Sequence, residues 1–341
     1  MGSSLAKLAH REDLVMQKVI LGTSGLEVTP IGLGLAGVGR PAYLGLGRDI
    51  DLGTDRSVEA MQQRTHDLLD AAYNAGVRYV DTARSYGLAE RFLGAWLRQR
   101  KRPPGDPVVG SKWGYTYVGD WSMHAEVHEV KDHSPGALRR QHAESRAELD
   151  DHLLLYQVHS ATLETGVLSN RAVLNELGRL KQQGLAIGLS VSGPAQAAVI
   201  RQSFDVRVDG ERVFQTVQAT WNLLERSAGS ALAEAREAGY GVIVKEALAN
   251  GRLAGREDIA FGALAEVASS HGVGFDAVAI AAVLVNPWVH VVLSGATTVE
   301  QLSSNLEALS VRLSGSDLGA LETLTEPARD YWLQRQSIPW R

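Results

Sequence analysis

The chain has no cysteine, which excludes disulfides, thiolate metal sites and cysteine nucleophiles together. No stretch approaches ~18 consecutive apolar residues, so no segment reads as a membrane-spanning helix. Positive charge is in deficit as well: 34 Lys and Arg against 39 Asp and Glu give a formal net charge of −5. The cations are scattered among acids rather than gathered on one stretch, so a nucleic-acid partner is not expected. Low-complexity tracts, Pro/Ser-rich linkers and abrupt composition shifts are absent from the 341 residues, which favours one domain over the two that length alone suggests. The first fifteen residues show neither an apolar signal core nor a cleavage pattern. Ala6 stands where a myristoylation signal needs Ser or Thr. Residues 1–17 are read as an amino-terminal extension, with Met16 a candidate start, and residues 18–341 as the folded unit. A cytoplasmic protein is expected.

What is present is a repeated grammar of amphipathic and short apolar runs. In residues 61–81, Leu68, Leu69, Ala72 and Tyr73 recur at helical spacing, residues 74–76 stop the helix, and 77–80 read as a buried strand ending in Asp81. The same alternation predicts strands at 31–35, 107–112, 153–159, 185–191, 213–218, 241–245 and 289–294. Helices are predicted at 136–149, 171–183, 194–203, 230–238 and 275–286. Eight strands, apolar on both faces as helix-covered strands are, predict an α/β fold of the (β/α)8 TIM-barrel type. Residues 17–30 read as an N-terminal β-hairpin turning at 23–25 and plugging one barrel end. Two long loops, 36–60 and 113–135, are expected to be functional, and Trp332 and Trp340 of the tail to pack back over the barrel.

Barrel chemistry sits at the C-terminal strand ends. Reading those ends gives Asp81, Lys112, His159, Ser190, Gln218, Lys245 and Ser294, a far more polar set than the strand bodies. Asp81, Lys112 and His159, with Tyr86 just beyond its strand, can converge across one mouth. A phenol with a pKa of ~10 donates poorly at neutral pH, so a neighbouring ammonium is expected to lower it, with Asp holding that ammonium in place. A neutral His can orient a carbonyl oxygen. Singly, each has an ordinary reading: a loop-capping Asp, a packing Tyr, a satisfied core His. Lys at the end of an apolar strand is harder to dismiss, because buried Lys is rarely unpaired.

In their sequence contexts these residues resemble the catalytic tetrad of the aldo-keto reductase family. GVRYVDTARSYGLAERFLG (76–94) is similar to that family's Asp–Tyr segment, GSKWG (110–114) to its lysine segment and LLLYQVHS (153–160) to its histidine segment. LGTSGLEVTPIGLGL (21–35), FQTVQATWNLLER (214–226), GVIVKEALANGRLAGR (241–256) and VVLSGATTVEQLSSNLEAL (291–309) match further segments in order, so the resemblance covers about residues 18–310.

The resemblance implies a nicotinamide-dependent oxidoreductase that interconverts carbonyls and alcohols by direct hydride transfer, without metal. Tyr86 would be the general acid/base, tuned by Lys112 and Asp81, and His159 would place the carbonyl. Ser190 and Gln218 would bind the carboxamide, and Trp221 would stack on the nicotinamide. Leu248 and Gly251 would cover the pyrophosphate. Gly295, Ala296, Thr297, Thr298, Gln301 and Asn305 would surround the adenosine end.

This chain departs from the family pattern in three places. Val191 replaces the usual Asn, and KEAL replaces YSPL, which puts Lys245 and Glu246 near the cofactor, with Lys245 a candidate phosphate ligand. Gly295 and Gln301 stand where NADPH-using members carry cations. The cofactor is therefore expected to be NADP(H) or NAD(H), without strict NADPH preference. Arg312 or a loop Arg is the candidate substitute. An NAD-dependent sugar dehydrogenase is the alternative, and a non-catalytic cofactor-sensing subunit the alternative of another class. The partner is expected to be a small carbonyl or alcohol, and the oligomeric state stays open.

Three other features have ordinary readings beside the functional one. Gly32, Gly34 and Gly37 spell G-x-G-x-x-G, but Pro41 and further glycines follow where a dinucleotide-binding helix would begin. HAEVH (124–128) lacks the Glu of a zinc-protease helix, so loop histidines are expected there rather than a metal site. Trp113, Tyr115 and Trp121 suit either loop packing or a substrate pocket.

Overall fold

The computed structural model describes residues 16–255 and 261–340. The expected extension at 1–15 lies outside them. Eight parallel strands close into a barrel: β1 (Ile31–Gly34), β2 (Tyr79–Asp81), β3 (Val108–Trp113), β4 (Leu153–Ala161), β5 (Ala186–Val191), β6 (Thr216–Thr220), β7 (Gly241–Lys245) and β8 (Val291–Ser294). Each pairs with its sequence neighbours, and β8 closes on β1 through Val292↔Ile31 and Ser294↔Leu33. Every residue of β3, β5 and β6 is buried, as expected of strands with side chains inside the barrel and helices outside.

The strands lie within about three residues of their sequence-predicted bounds because the apolar runs that define them must leave water as units. The helix Val58–Asn74 starts at Ser57, whose hydroxyl accepts from Ala60 N, and buries Leu68, Leu69 and Ala72 on the β-sheet side. The helix Ala89–Gln99 buries Phe92, Leu93, Trp96 and Leu97 the same way. Helices Gly262–His271 and Gly315–Glu322 complete the layer and were not read from the pattern. The second has a Ser314/Asp317 capping box. Among the described residues no single helix is long and apolar enough to cross a membrane.

The hairpin Val19–Ile20 with Glu27–Val28 closes the N-terminal end of the barrel. Leu21 is fully buried with Tyr79, Val108, Leu155, Ile243 and Val291, which stabilises this plug by about 2 kcal/mol. Gly22 has φ +55°, and a Cβ there would lie 2.1 Å from Gly241 N, so the turn seats against β7 only as glycine.

At the other end the long loops are more ordered than their sequence predicts. Residues 36–60 contain a short helix, Arg48–Leu52, and 113–135 contain an antiparallel ribbon, Tyr115–Tyr117 with Glu129–Lys131. The tail forms a helix, Ala328–Ser337, and returns over the mouth. Trp340 pairs with Leu44 and stacks on His128 with centroids 4.4 Å apart.

Candidate active site

Parallel strands put every C-terminal end on one rim, and three of those ends meet. The Lys112 ammonium, fully buried at the end of β3, donates to Asp81 Oδ1, to Thr82 O at 2.9 Å and to Tyr86 Oη at 3.4 Å. The other Asp81 oxygen accepts from Gln218 Nε2 at 2.8 Å and from Tyr79 Oη at 3.2 Å. A buried ion pair of this kind is sustained by such further donors, which satisfy the remaining lone pairs. Tyr86 is 8% exposed at the bottom of a cleft.

The expected lowering of the Tyr86 pKa is not the net effect. Burial first, then the Asp81 carboxylate, push the phenol well above 10, and Arg40 pulls the other way. Because Lys112 is held by Asp81, the pair as a whole presents little net charge to the phenol. Tyr86 is thus a protonated donor throughout the neutral range.

The His159 ring lies 5.5 Å from the Tyr86 ring, edge on. Burial, then the Lys112, Lys245 and Arg40 cations, hold its imidazole well below the usual range, so it is neutral at pH 7. Ser85 Oγ lies 3.4 Å from its Nδ1, and His133 Nε2 donates to its carbonyl at 2.9 Å.

The cleft runs from Asp81 and Tyr86 to Gln301 and Asn305 and opens to solvent. Of the residues assigned to the cofactor, Gln218, Lys245, Leu248, Gly251, Gly295, Ala296, Thr297, Gln301 and Asn305 line it. Thr298 is the N-cap of the helix Val299–Leu306 just beyond. Ser190 is fully buried, with its hydroxyl committed to Ser160 N at 2.8 Å. Among the described residues, Asn250 Oδ1 is a buried acceptor without a partner, suited to a ribose hydroxyl.

Two aromatic assignments are corrected by strand alternation. Gln218 and Thr220 point inward, so Trp221 turns outward, off the cleft, and packs edge-on against Trp288 at 5.5 Å. Lys112 points inward, so Trp113 turns outward and packs against His133, fully buried. Trp121 is a third correction. It is held by Phe92 at 6.2 Å and by Arg56 O at 2.7 Å, so it serves loop packing rather than the pocket. Tyr115 does face the site, 5.0 Å from His159. Arg312 does not substitute for the missing cations, because it bonds the carbonyls of Leu309 and Val311.

Some site residues escaped sequence reading. Arg40 is buried between Tyr43 and Trp340, its guanidinium 5.5 Å from the Tyr86 ring. Arg335 reaches from the tail helix to grip Glu246 with a bidentate fork. Arg40 carries no motif, and Arg335 lies beyond the last recognised segment.

The family model described as Aldo/keto reductase family matches residues 31–326. An NADH-specific methylglyoxal reductase of Escherichia coli is 27% identical, covering 91% of this chain and 99% of its own. An aldo-keto reductase of Emericella nidulans is 26% identical, covering 92% and 82%. The solved structure of a putative aldo-keto reductase from Pseudomonas aeruginosa superposes with a TM-score of 0.64 at 26% identity, over 89% of this chain and 98% of that one. With the barrel, the strand-end cluster and these matches in hand, the chain belongs to the aldo/keto reductase family and is an NAD(P)-dependent oxidoreductase.

Proposed function

We propose that this enzyme reduces small aldehydes or ketones to alcohols with Tyr86 as the proton donor. The observation that carries the reading is the buried chain Asp81–Lys112–Tyr86 opening onto the cleft lined by the cofactor candidates. A bound nicotinamide supplies the hydride. The protein residues do the rest. The neutral His159 imidazole and the Tyr86 hydroxyl hold the carbonyl oxygen, and Tyr86 Oη gives its proton to that oxygen as negative charge builds there. Lys112, fixed by Asp81 and Thr82 O, donates to Tyr86 Oη at 3.4 Å and holds that oxygen in place.

Gln218, Leu248, Gly251, Asn250 and Gly295 to Thr297 would hold the cofactor, and NAD(H) is the preferred one. Asp51 and Asp276 line the adenosine end, and Gln301 spends its Oε1 on Thr297 N at 2.9 Å. Arg48 shares that wall but donates to the carbonyls of Gly37, Arg40 and Pro41, so a 2′-phosphate there meets two carboxylates beside a cation turned to the backbone. The test is turnover with NADH carrying deuterium at C4 and a panel of aldehydes. Deuterium on the product's carbinol carbon is expected; its absence from every product removes the reading.

A further inference from the structure

Around the catalytic end of the cleft each carboxylate has a dedicated cation. Asp81 is held by Lys112, Glu129 by Arg40 at 2.9 Å, and Glu246 by the Arg335 fork. Lys245, at the end of β7, is left over. Its nearest acid is Glu246, 3.7 Å away, already gripped by Arg335. Its Nζ donates instead to Thr220 Oγ1 at 2.8 Å and Ser192 Oγ at 3.1 Å. Hydroxyls solvate an ammonium but do not neutralise it, and a largely buried cation that shares its carboxylate with a guanidinium attracts an anion that can reach it. Neutral His159 adds no charge here, and exposed Lys131, over the Tyr115 ring, adds a second cation.

Lys245 can be reached from the cleft, whose wall it shares with Tyr86, Asp81 and Gln218. Burial, then Arg335 and Lys112, outweigh Glu246 and pull the Lys245 ammonium down to about 8. Lys245 and Lys112 both act on His159. The far end of the same cleft carries Asp51 and Asp276.

We propose that the carbonyl substrate is itself an anion, bearing a carboxylate or phosphate that Lys245 Nζ holds while Tyr86 faces its carbonyl oxygen. This rests on the carbonyl-reductase reading and names its substrate class: oxo acids and carboxylate-bearing aldehydes ahead of neutral ones. The cofactor's pyrophosphate is the other source of the same anionic chemistry, and the test separates the two.

Binding is measured on the full chain saturated with NADH, by calorimetry, with benzoate and neutral benzamide as non-reacting probes. Turnover is measured with 4-carboxybenzaldehyde and benzaldehyde. Wild type is compared with Lys245→Gln, which keeps a donor for Ser192 and Thr220, and with Lys245→Arg. Wild type is expected to bind benzoate the more tightly. Lys245→Gln should lower the kcat/KM ratio of the charged to the neutral aldehyde roughly 10- to 100-fold, mainly through KM, and Lys245→Arg should restore most of it. Equal loss for both aldehydes, or equal wild-type affinity for benzoate and benzamide, overturns the proposal. A weakened NADH Kd in Lys245→Gln with the ratio intact also overturns it, assigning the lysine to the cofactor. If wild type reduces no aldehyde yet binds benzoate through Lys245, the reductase reading falls and the anion site stands.

Discussion

Gln218 Nε2 donates to Asp81 Oδ2 at 2.8 Å across the barrel, on the carboxylate oxygen that Lys112 leaves open. Asp81 thus receives a cation on one oxygen and neutral donors on the other. Lys112→Met leaves that carboxylate buried and uncompensated, which costs about 3–5 kcal/mol. The double variant Asp81→Asn with Lys112→Met removes both charges and should recover much of the loss. Urea denaturation of the single and double variants checks this. A double variant no more stable than Lys112→Met contradicts the pairing.

Trp221 belongs to the helix layer, so Trp221→Ala should act as a core truncation. The expected cost is about 3–5 kcal/mol of stability, with little change in the NADH Kd at a temperature where the variant is folded. Thermal unfolding and calorimetric titration read the two effects separately. A large loss of NADH affinity at wild-type stability would return Trp221 to the cofactor.

The Glu246–Arg335 pair ties the tail helix to the cleft wall. Burial opposes the Glu246 charge, but Arg335 and Lys245 prevail and bring its pKa from 4.5 to about 2. A depressed carboxylate pKa adds stability that is complete above about 4.5 and is lost as pH falls toward 2. Arg335→Met should cost about 3 kcal/mol at pH 7, at the low end for a buried pair because the Arg335 side chain keeps 21% exposure. The gap to wild type should shrink through that acid window. A gap independent of pH, in stability curves from pH 3 to 7, would exclude the ion pair as its source.

The adenosine end predicts tighter binding of NADH than of NADPH. Asp276→Asn, which removes one carboxylate from that wall, should narrow the difference roughly three- to tenfold. Parallel fluorescence titrations of both cofactors measure it. Wild-type preference for NADPH would contradict this assignment.

The barrel was legible because eight apolar runs separated by amphipathic ones have one common solution, and the polar strand ends then mark the mouth. Asp81, Lys112, Tyr86 and His159 come together as their positions at or just beyond strand ends imply. Trp221 and Trp113 were misplaced although the period-2 rule speaks to both: each directly follows, or follows by an odd step, a residue that points inward. Arg40 and the Arg335 fork were not legible at all, since a cation's partner across 89 residues is set by tertiary packing. The sign of the Tyr86 shift was missed for a related reason. Sequence shows that an ammonium is near but not that a carboxylate cancels it.

The central claim is that Tyr86 Oη delivers the proton, and single-turnover kinetics of Tyr86→Phe test it most directly. NADH is bound first, its Kd is measured, an aldehyde is then mixed in, and nicotinamide fluorescence is followed. The account predicts a near-wild-type Kd with hydride transfer slowed roughly 10²- to 10⁴-fold. Hydride transfer at the wild-type rate in Tyr86→Phe would contradict it.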